Sequence, residues 1–169
     1  MATPTNLPAS FVSGAILTAD QQNSLRGAFR VLQLDSVNVT ANSFTTSSLT
    51  NVNITGLTLT ITPQSTTSKI LIFSSLNFGA DSAIAAYLSI ARNGTVVGSG
   101  TDASSVSLIP SNAVPATCSF MFLDSPASVA ALTYTIQVRV SGGNFYLNTR
   151  GASNLYRGAS NLTIAEISA

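Results

Sequence analysis

Short runs in which apolar and polar residues alternate recur along this chain, and turn residues separate them. The clearest lie at residues 57–72, 87–100, 122–127, 134–140 and 162–167. A period of two puts one set of side chains on each face of a strand. Many such strands, divided by Gly, Asn and Pro, specify an all-β fold: an antiparallel β-sandwich, with a jelly roll the expected topology and another Greek-key order the alternative.

The punctuation gives the expected elements. Val37, Val39 and Ala41 alternate with polar residues, as do Val52, Ile54, Leu57, Leu59 and Ile61, with Gly56 at a bulge or bend. Residues 63–67 read as a turn, and 69–76 are apolar enough for a central strand. Asn93-Gly94 marks a tight hairpin. Residues 98–115 are expected to be the longest irregular excursion. Strands follow at 118–123 and 132–140, with Asp124 opening an Asp-Ser-Pro turn between them. Gly142-Gly143-Asn144 reads as a further hairpin turn leading into Phe145-Tyr146-Leu147.

The first residues differ. Pro4, Pro8 and Gly14 predict an extended arm over residues 1–16, with apolar anchors Leu7, Phe11, Val12, Ile16 and Leu17. Thr18-Ala19-Asp20-Gln21 is a capping-box pattern. Leu25, Phe29 and Leu32 then make one apolar stripe, which predicts one short helix from Ala19 to about Val31. The chain divides into an arm and helix (1–31) and a sandwich (32–169). The helix either caps the sandwich or docks, with the arm, into a larger assembly; Leu7, Phe11, Leu25 and Phe29 are the candidate attachment residues.

Only 8% of the 169 residues are charged, while 45% are hydrophobic and mean hydropathy is +0.37. Soluble domains average about 25% charged residues, so a surface rich in Ser, Thr and Asn suits a chain built into an assembly. A net charge of +1 with dispersed Arg and Lys69 gives no footprint for nucleic acid. No apolar stretch reaches the length of a membrane span, and no membrane insertion is expected.

Cys118 is the only cysteine and there is no histidine. The usual zinc clusters and a base-activated thiol are therefore excluded, and Cys118 reads as a small buried apolar residue. The six acidic residues lie in unrelated segments. Glu166 is read as facing opposite to Ile164, at a strand surface or an intersubunit contact. No catalytic residue, metal ligand or cofactor is assigned, and no enzymatic role is expected.

Residues 150–156 (RGASNLY) and 157–163 (RGASNLT) are nearly identical. Seven is odd, so the two copies cannot continue one strand with the same face inward. The expectation is an enlarged loop whose second copy enters the last strand. Tyr146, Arg150, Tyr156 and Arg157 form the only aromatic-basic cluster and are the candidate receptor loop, with residues 102–111 a second candidate.

The set of β-signals, with Thr62-Pro63, Ser68-Lys69-Ile70-Leu71-Ile72 and Leu123-Asp124-Ser125-Pro126, resembles the small β-sandwich proteins of tailed-phage particles, often labelled tail fibres. The resemblance covers roughly residues 30–169. It implies a structural protein on the exterior of the virion: a short tail fibre or receptor-binding protein, or else a capsid decoration protein. A free jelly-roll binding module is a further alternative. The partners implied are other virion proteins, copies of itself and a host surface receptor. A homotrimer is expected, partly from the resemblance. The other part is that residues 162–167 and 69–76 are apolar strands with one charge each, suited to packing at an interface.

Overall fold

The strand Val52–Ile61 shows how this sequence builds its sheets. Ile54, Leu57, Leu59 and Ile61 are all buried, although the step of three from Ile54 to Leu57 would turn them to opposite faces. A register shift between Asn53 and Thr58 corrects the phase. Gly56 sits within it at φ +90°, a backbone state that a side chain resists.

A computed structural model describes residues 16, 18–19, 30–41, 44–100, 102–109, 114–153 and 157–168. Its strands are β1 (Val31–Val39), β2 (Thr45–Thr46), β3 (Val52–Ile61), β4 (Lys69–Ala80), β5 (Ile84–Arg92) and β6 (Thr95–Val97). They continue as β7 (Ser105–Ile109), β8 (Ala116–Asp124), β9 (Leu132–Val140), β10 (Phe145–Leu147) and β11 (Ser160–Ile167). A 3-10 turn covers Gly151–Ser153.

All pairings are antiparallel, and the strands form two sheets. Sheet A runs β1-β11-β4, and β4 then pairs with β8 on its other side. Beyond the end of β11, β4 also pairs with β10, which pairs with β2. Sheet B runs β3-β9-β5, with β6 and β7 both on β5. Without the short β2, β6 and β10, the layers are β1-β11-β4-β8 and β3-β9-β5-β7. That order is the two interlocked Greek keys of a jelly roll.

The core lies between the layers. Ile70, Ile72, Leu76 and Phe78 of β4 and Leu162 and Ile164 of β11 meet Ile54, Leu57, Leu88, Ile90, Tyr134, Ile136 and Val138 of sheet B. At one end Phe145 stacks on Phe78 at 5.0 Å and takes Phe44 edge-on at 6.2 Å. Burial of apolar area on this scale is the main favourable contribution to folding.

Several expectations are corrected. Val31 opens β1 rather than closing a helix, because its backbone belongs to the ladder with β11, opposite Ile167. Of the expected arm and helix, most residues, including Leu7, Phe11, Leu25 and Phe29, lie outside those described. Residues 98–115 are not wholly irregular: Ser105–Ile109 pairs with β5 from Ile84↔Ile109 to Leu88↔Ser105. Gly142-Gly143-Asn144 does not close a hairpin but carries the chain from sheet B to sheet A, since β9 and β10 belong to different sheets. Residues 162–167 and 69–76 are not exposed edges. β11 is paired on both sides, and so is β4, which removes the strand-edge argument for a threefold assembly. Asn93-Gly94 is a tight hairpin turn as expected, with both residues at positive φ (49° and 83°).

Candidate functional site

The two ends of sheet A are chemically different. At one end Val31 pairs with Ile167, which pairs with Lys69. The Arg30 amide donates to Ser168 Oγ (2.8 Å) and the Ser168 amide donates to the Arg30 carbonyl (2.9 Å), which fastens the start and finish of the described sandwich together. Glu166 is fully buried just inside this end. Its Oε2 accepts from Gln33 Nε2 (2.6 Å) and its Oε1 from the Gln64 amide (2.7 Å). Burial pushes the Glu166 carboxyl up. Hydrogen bonds from Gln33 and the Gln64 amide help outweigh that effect and hold it below its ordinary value. The expected surface position for Glu166 is therefore wrong. Two residues after Ile164 in a strand, it shares the inward face of Ile164.

The other end of sheet A carries the duplicated segment. The first copy turns through Gly151–Ser153, and the second enters β11 at Ser160, as the odd repeat length requires. Two buried or half-buried amides fix both. Asn148, at φ +59°, donates through Nδ2 to the carbonyls of Val39 (2.6 Å) and Ala41 (2.9 Å). Its Oδ1 accepts from Ser160 Oγ (2.6 Å), and its carbonyl accepts from the Gly158 amide (3.0 Å). Asn77 accepts from the Asn148 amide (2.7 Å) and donates its own amide to Ser160 Oγ (2.9 Å). Gly79 lies so close to the loop that an added Cβ would sit 2.5 Å from the Thr149 carbonyl oxygen.

This arrangement collects the predicted loop residues that are described. Tyr146 is half-buried in β10 opposite Gly79. Arg150 follows at the same stretch of β4, and Arg157 is exposed one residue before Gly158, which packs on Asn77. Tyr156 lies outside the described residues. The second candidate loop, 102–111, is displaced by β7. Beside it Arg139 stacks 3.8 Å over the Tyr87 ring and reaches Asp102 Oδ1 at 3.3 Å.

A third feature ties the layers together. Asp124, at the end of β8, does more than open a turn. Its Oδ1 accepts from the Ser125 amide (2.8 Å), while Oδ2 accepts from Arg92 (2.6 Å) and from the Tyr134 hydroxyl (2.7 Å). Arg92 and Tyr134 belong to sheet B. Burial first, and then the bond to Asp124, raise the Tyr134 phenol far above its ordinary value, so it stays a donor.

Part of the exposed apolar surface lies on the outer face of sheet A. Phe73 of β4 lies opposite Met121 of β8 on the outer face of sheet A, and Leu71 lies opposite Leu123. Val106 and Leu108 of β7 are exposed on sheet B. Phe73, Ser75, Ser119, Met121 and Asn161 line an open groove of about 400 Å³. Cys118 is half-buried rather than buried, because its strand is the last of sheet A; its Sγ lies 3.1 Å from Ser105 Oγ. The signal for this surface in the sequence is the uncharged alternation of residues 116–123.

Among the described residues no group of three or more His, Cys, Asp or Glu could hold a metal ion. No described helix is long and apolar enough to cross a membrane.

No protein-family model matches this chain, and no curated protein matches it. Solved structures with some similarity include dimeric latent PorU from Porphyromonas gingivalis (14% identity, TM-score 0.45), covering 80% of this chain and 12% of that one. The T13 IBDV viral particle gives 11% identity and TM-score 0.45, covering 80% of this chain and 37% of that one. The infectious bursal disease virus Gx strain gives 13% and 0.41, covering 82% and 42%. This chain spans less than half the length of each of these three chains.

Proposed function

We propose that this chain is a non-enzymatic structural protein of a tailed-phage particle, most simply a short tail fibre or receptor-binding protein on the virion exterior. The observation that carries the reading is the polarity of sheet A. The N-terminal segment joins at Arg30, and the Tyr146, Arg150 and Arg157 stretch lies beside Asn77 and Gly79. Between Lys69 and Gly79 the strand rises roughly 33 Å at about 3.3 Å per residue. An attachment segment at one pole and a loop presented at the other is the division of labour that a receptor-binding protein needs. The low charge of the chain and the resemblance to phage β-sandwich proteins support the same reading.

Leu7, Phe11, Leu25 and Phe29 are the attachment anchors in this reading, with other virion proteins as their partners. Deleting residues 1–29 leaves a folded sandwich that no longer joins particles, as read by mass spectrometry of purified virions. Replacing Tyr146, Arg150, Tyr156 and Arg157 by Ala weakens adsorption to host cells at unchanged particle yield. Normal incorporation of the truncated chain would reject the anchoring role.

The outer face of sheet A favours a second reading, a capsid decoration protein. Leu34, Phe73, Met121 and Leu123 are exposed on a sheet face rather than on loops, a shape suited to lying on a shell. Labelled antibody on intact particles separates the two by marking the tail or the head.

A further inference from the structure

We propose that β8 is a self-association edge, and that two copies of this chain join by pairing β8 with β8 antiparallel about a twofold axis. Sheet A then continues from one subunit into the next.

Among the described residues the edge is open and unguarded. Among the described residues, β8 pairs with β4 and with no other strand. Proteins usually protect such an edge with Lys, Pro, a bulge or an exposed charge. Ala116–Asp124 has no Lys and no Pro, and its register on β4 is unbroken from Ile70↔Asp124 to Phe78↔Ala116. Its one charged residue, Asp124, is turned inward and bound to Arg92 and Tyr134.

The side chains show an unfinished layer. On the outer face Met121 is 65% exposed and Leu123 is 52% exposed. On the inner face Cys118, Phe120 and Phe122 pack on the core yet remain half-buried, while Ile70, Ile72 and Leu76 of the neighbouring strand are fully buried.

The occupant that fits is a second copy. The strip presents no exposed charge, so it complements an uncharged strip, and β8 is one. Full overlap of Ala116–Asp124 with itself centres on Phe120. Met121 then faces Ser119 of the partner subunit, and Leu123 faces Thr117 of the partner subunit. Each bulky apolar residue thus meets a small one. Arg30, the residue before β1, lies at the far edge of the sheet. Twofold closure also covers both open edges at once and stops further growth.

The test is light scattering with amide exchange on the full chain across micromolar concentrations. The expected result is a dimer in which amides 116–124 exchange at least tenfold more slowly as concentration rises. Met121→Lys and Ser119→Lys each add a charge on the exposed outer face; each weakens association at least tenfold with the circular dichroism unchanged. Leu34→Lys, at the opposite edge, leaves the dimer intact and controls for added charge. A monomeric wild type, a trimer, or a dimer that survives both lysine variants would overturn the proposal. So would a dimer that residues 1–29 are needed to form while amides 116–124 stay unprotected. None of these outcomes depends on whether the protein belongs to a phage particle.

Discussion

The Tyr134 hydroxyl donates a 2.7 Å hydrogen bond to Asp124 Oδ2, joining the middle of sheet B to the last strand of sheet A inside the sandwich. The same oxygen accepts from Arg92 at 2.6 Å. The carboxylate is nearly buried and the arginine is 30% exposed, so solvent screens part of this pair.

Tyr134→Phe removes one bond to a charged acceptor and should cost about 2 kcal/mol in denaturant unfolding. Asp124→Ala removes the bonds from Tyr134, Arg92 and the Ser125 amide and leaves the phenol buried without its partner, at about 3 kcal/mol. Because β4 is the one described strand that pairs with β8, the Asp124 variant should also expose amides 116–124 to faster exchange. Equal stabilities for both variants and wild type would remove this tie from the account.

Glu166 should govern acid stability. Its folded carboxyl titrates below the ordinary glutamate range, so the unfolded chain takes up the proton first as pH falls. Stability from this group is present above about 4.5 and is lost as pH falls through the folded value. Glu166→Gln should flatten the acid limb of a stability-against-pH curve and lower stability at pH 7. An unchanged acid limb would show that other carboxyls set it. Asp81, held below 3.8 chiefly by Asn144, contributes in the same direction but lies at the surface.

Gly79 and Gly94 should fail for different reasons. An alanine at Gly79 would press its Cβ on backbone atoms of Thr149 and Arg150, at 2.5 and 2.9 Å. Relief requires moving the loop, and the expected cost is about 2–3 kcal/mol. An alanine at Gly94 meets nothing within 4 Å but must hold φ +83°, which costs about 1 kcal/mol. Thermal unfolding of both variants checks the order.

Asn148→Ala should cost about 2–4 kcal/mol, because it leaves the Val39 and Ala41 carbonyls without their donor and keeps a non-glycine residue at φ +59°. Asn148→Gly relieves the backbone alone and should recover only a fraction of that loss. If Gly restored full stability, backbone conformation rather than the hydrogen bonds would be what Asn148 supplies.

Features set by local chemistry were legible in the sequence. Gly56 as a bulge, Asn93-Gly94 as a hairpin turn and the split fate of the duplicated heptad all follow from a few adjacent residues. Which strands are edges was not legible, because pairing is decided by residues far apart: β11 lies between β1 and β4. The same distance hid the partners of Glu166, since Gln33 is 133 residues away and Gln64 is 102. Its inward face, however, was available from the period of two. β7 was missed because its serines (Ser105 and Ser107) look like loop, although Ile109 reaches the core. Of the candidate site, the sequence supplied residue types around Tyr146 and Arg150, but not Asn77 and Asn148, whose roles exist only once the loop is folded back.

The fastening of Arg30 to Ser168 has a mechanical consequence. Tension applied through the N-terminal segment and resisted at the Arg150–Arg157 pole runs along the strands of sheet A. It loads the ladder between β1 and β11 in shear, from Val31↔Ile167 to Val39↔Ser160, so those bonds must yield together rather than one at a time. Pulling on the C-terminus loads β11 the same way, between β1 and β4. Force from either side of this fastening therefore enters the β1–β11 ladder before it reaches the loops.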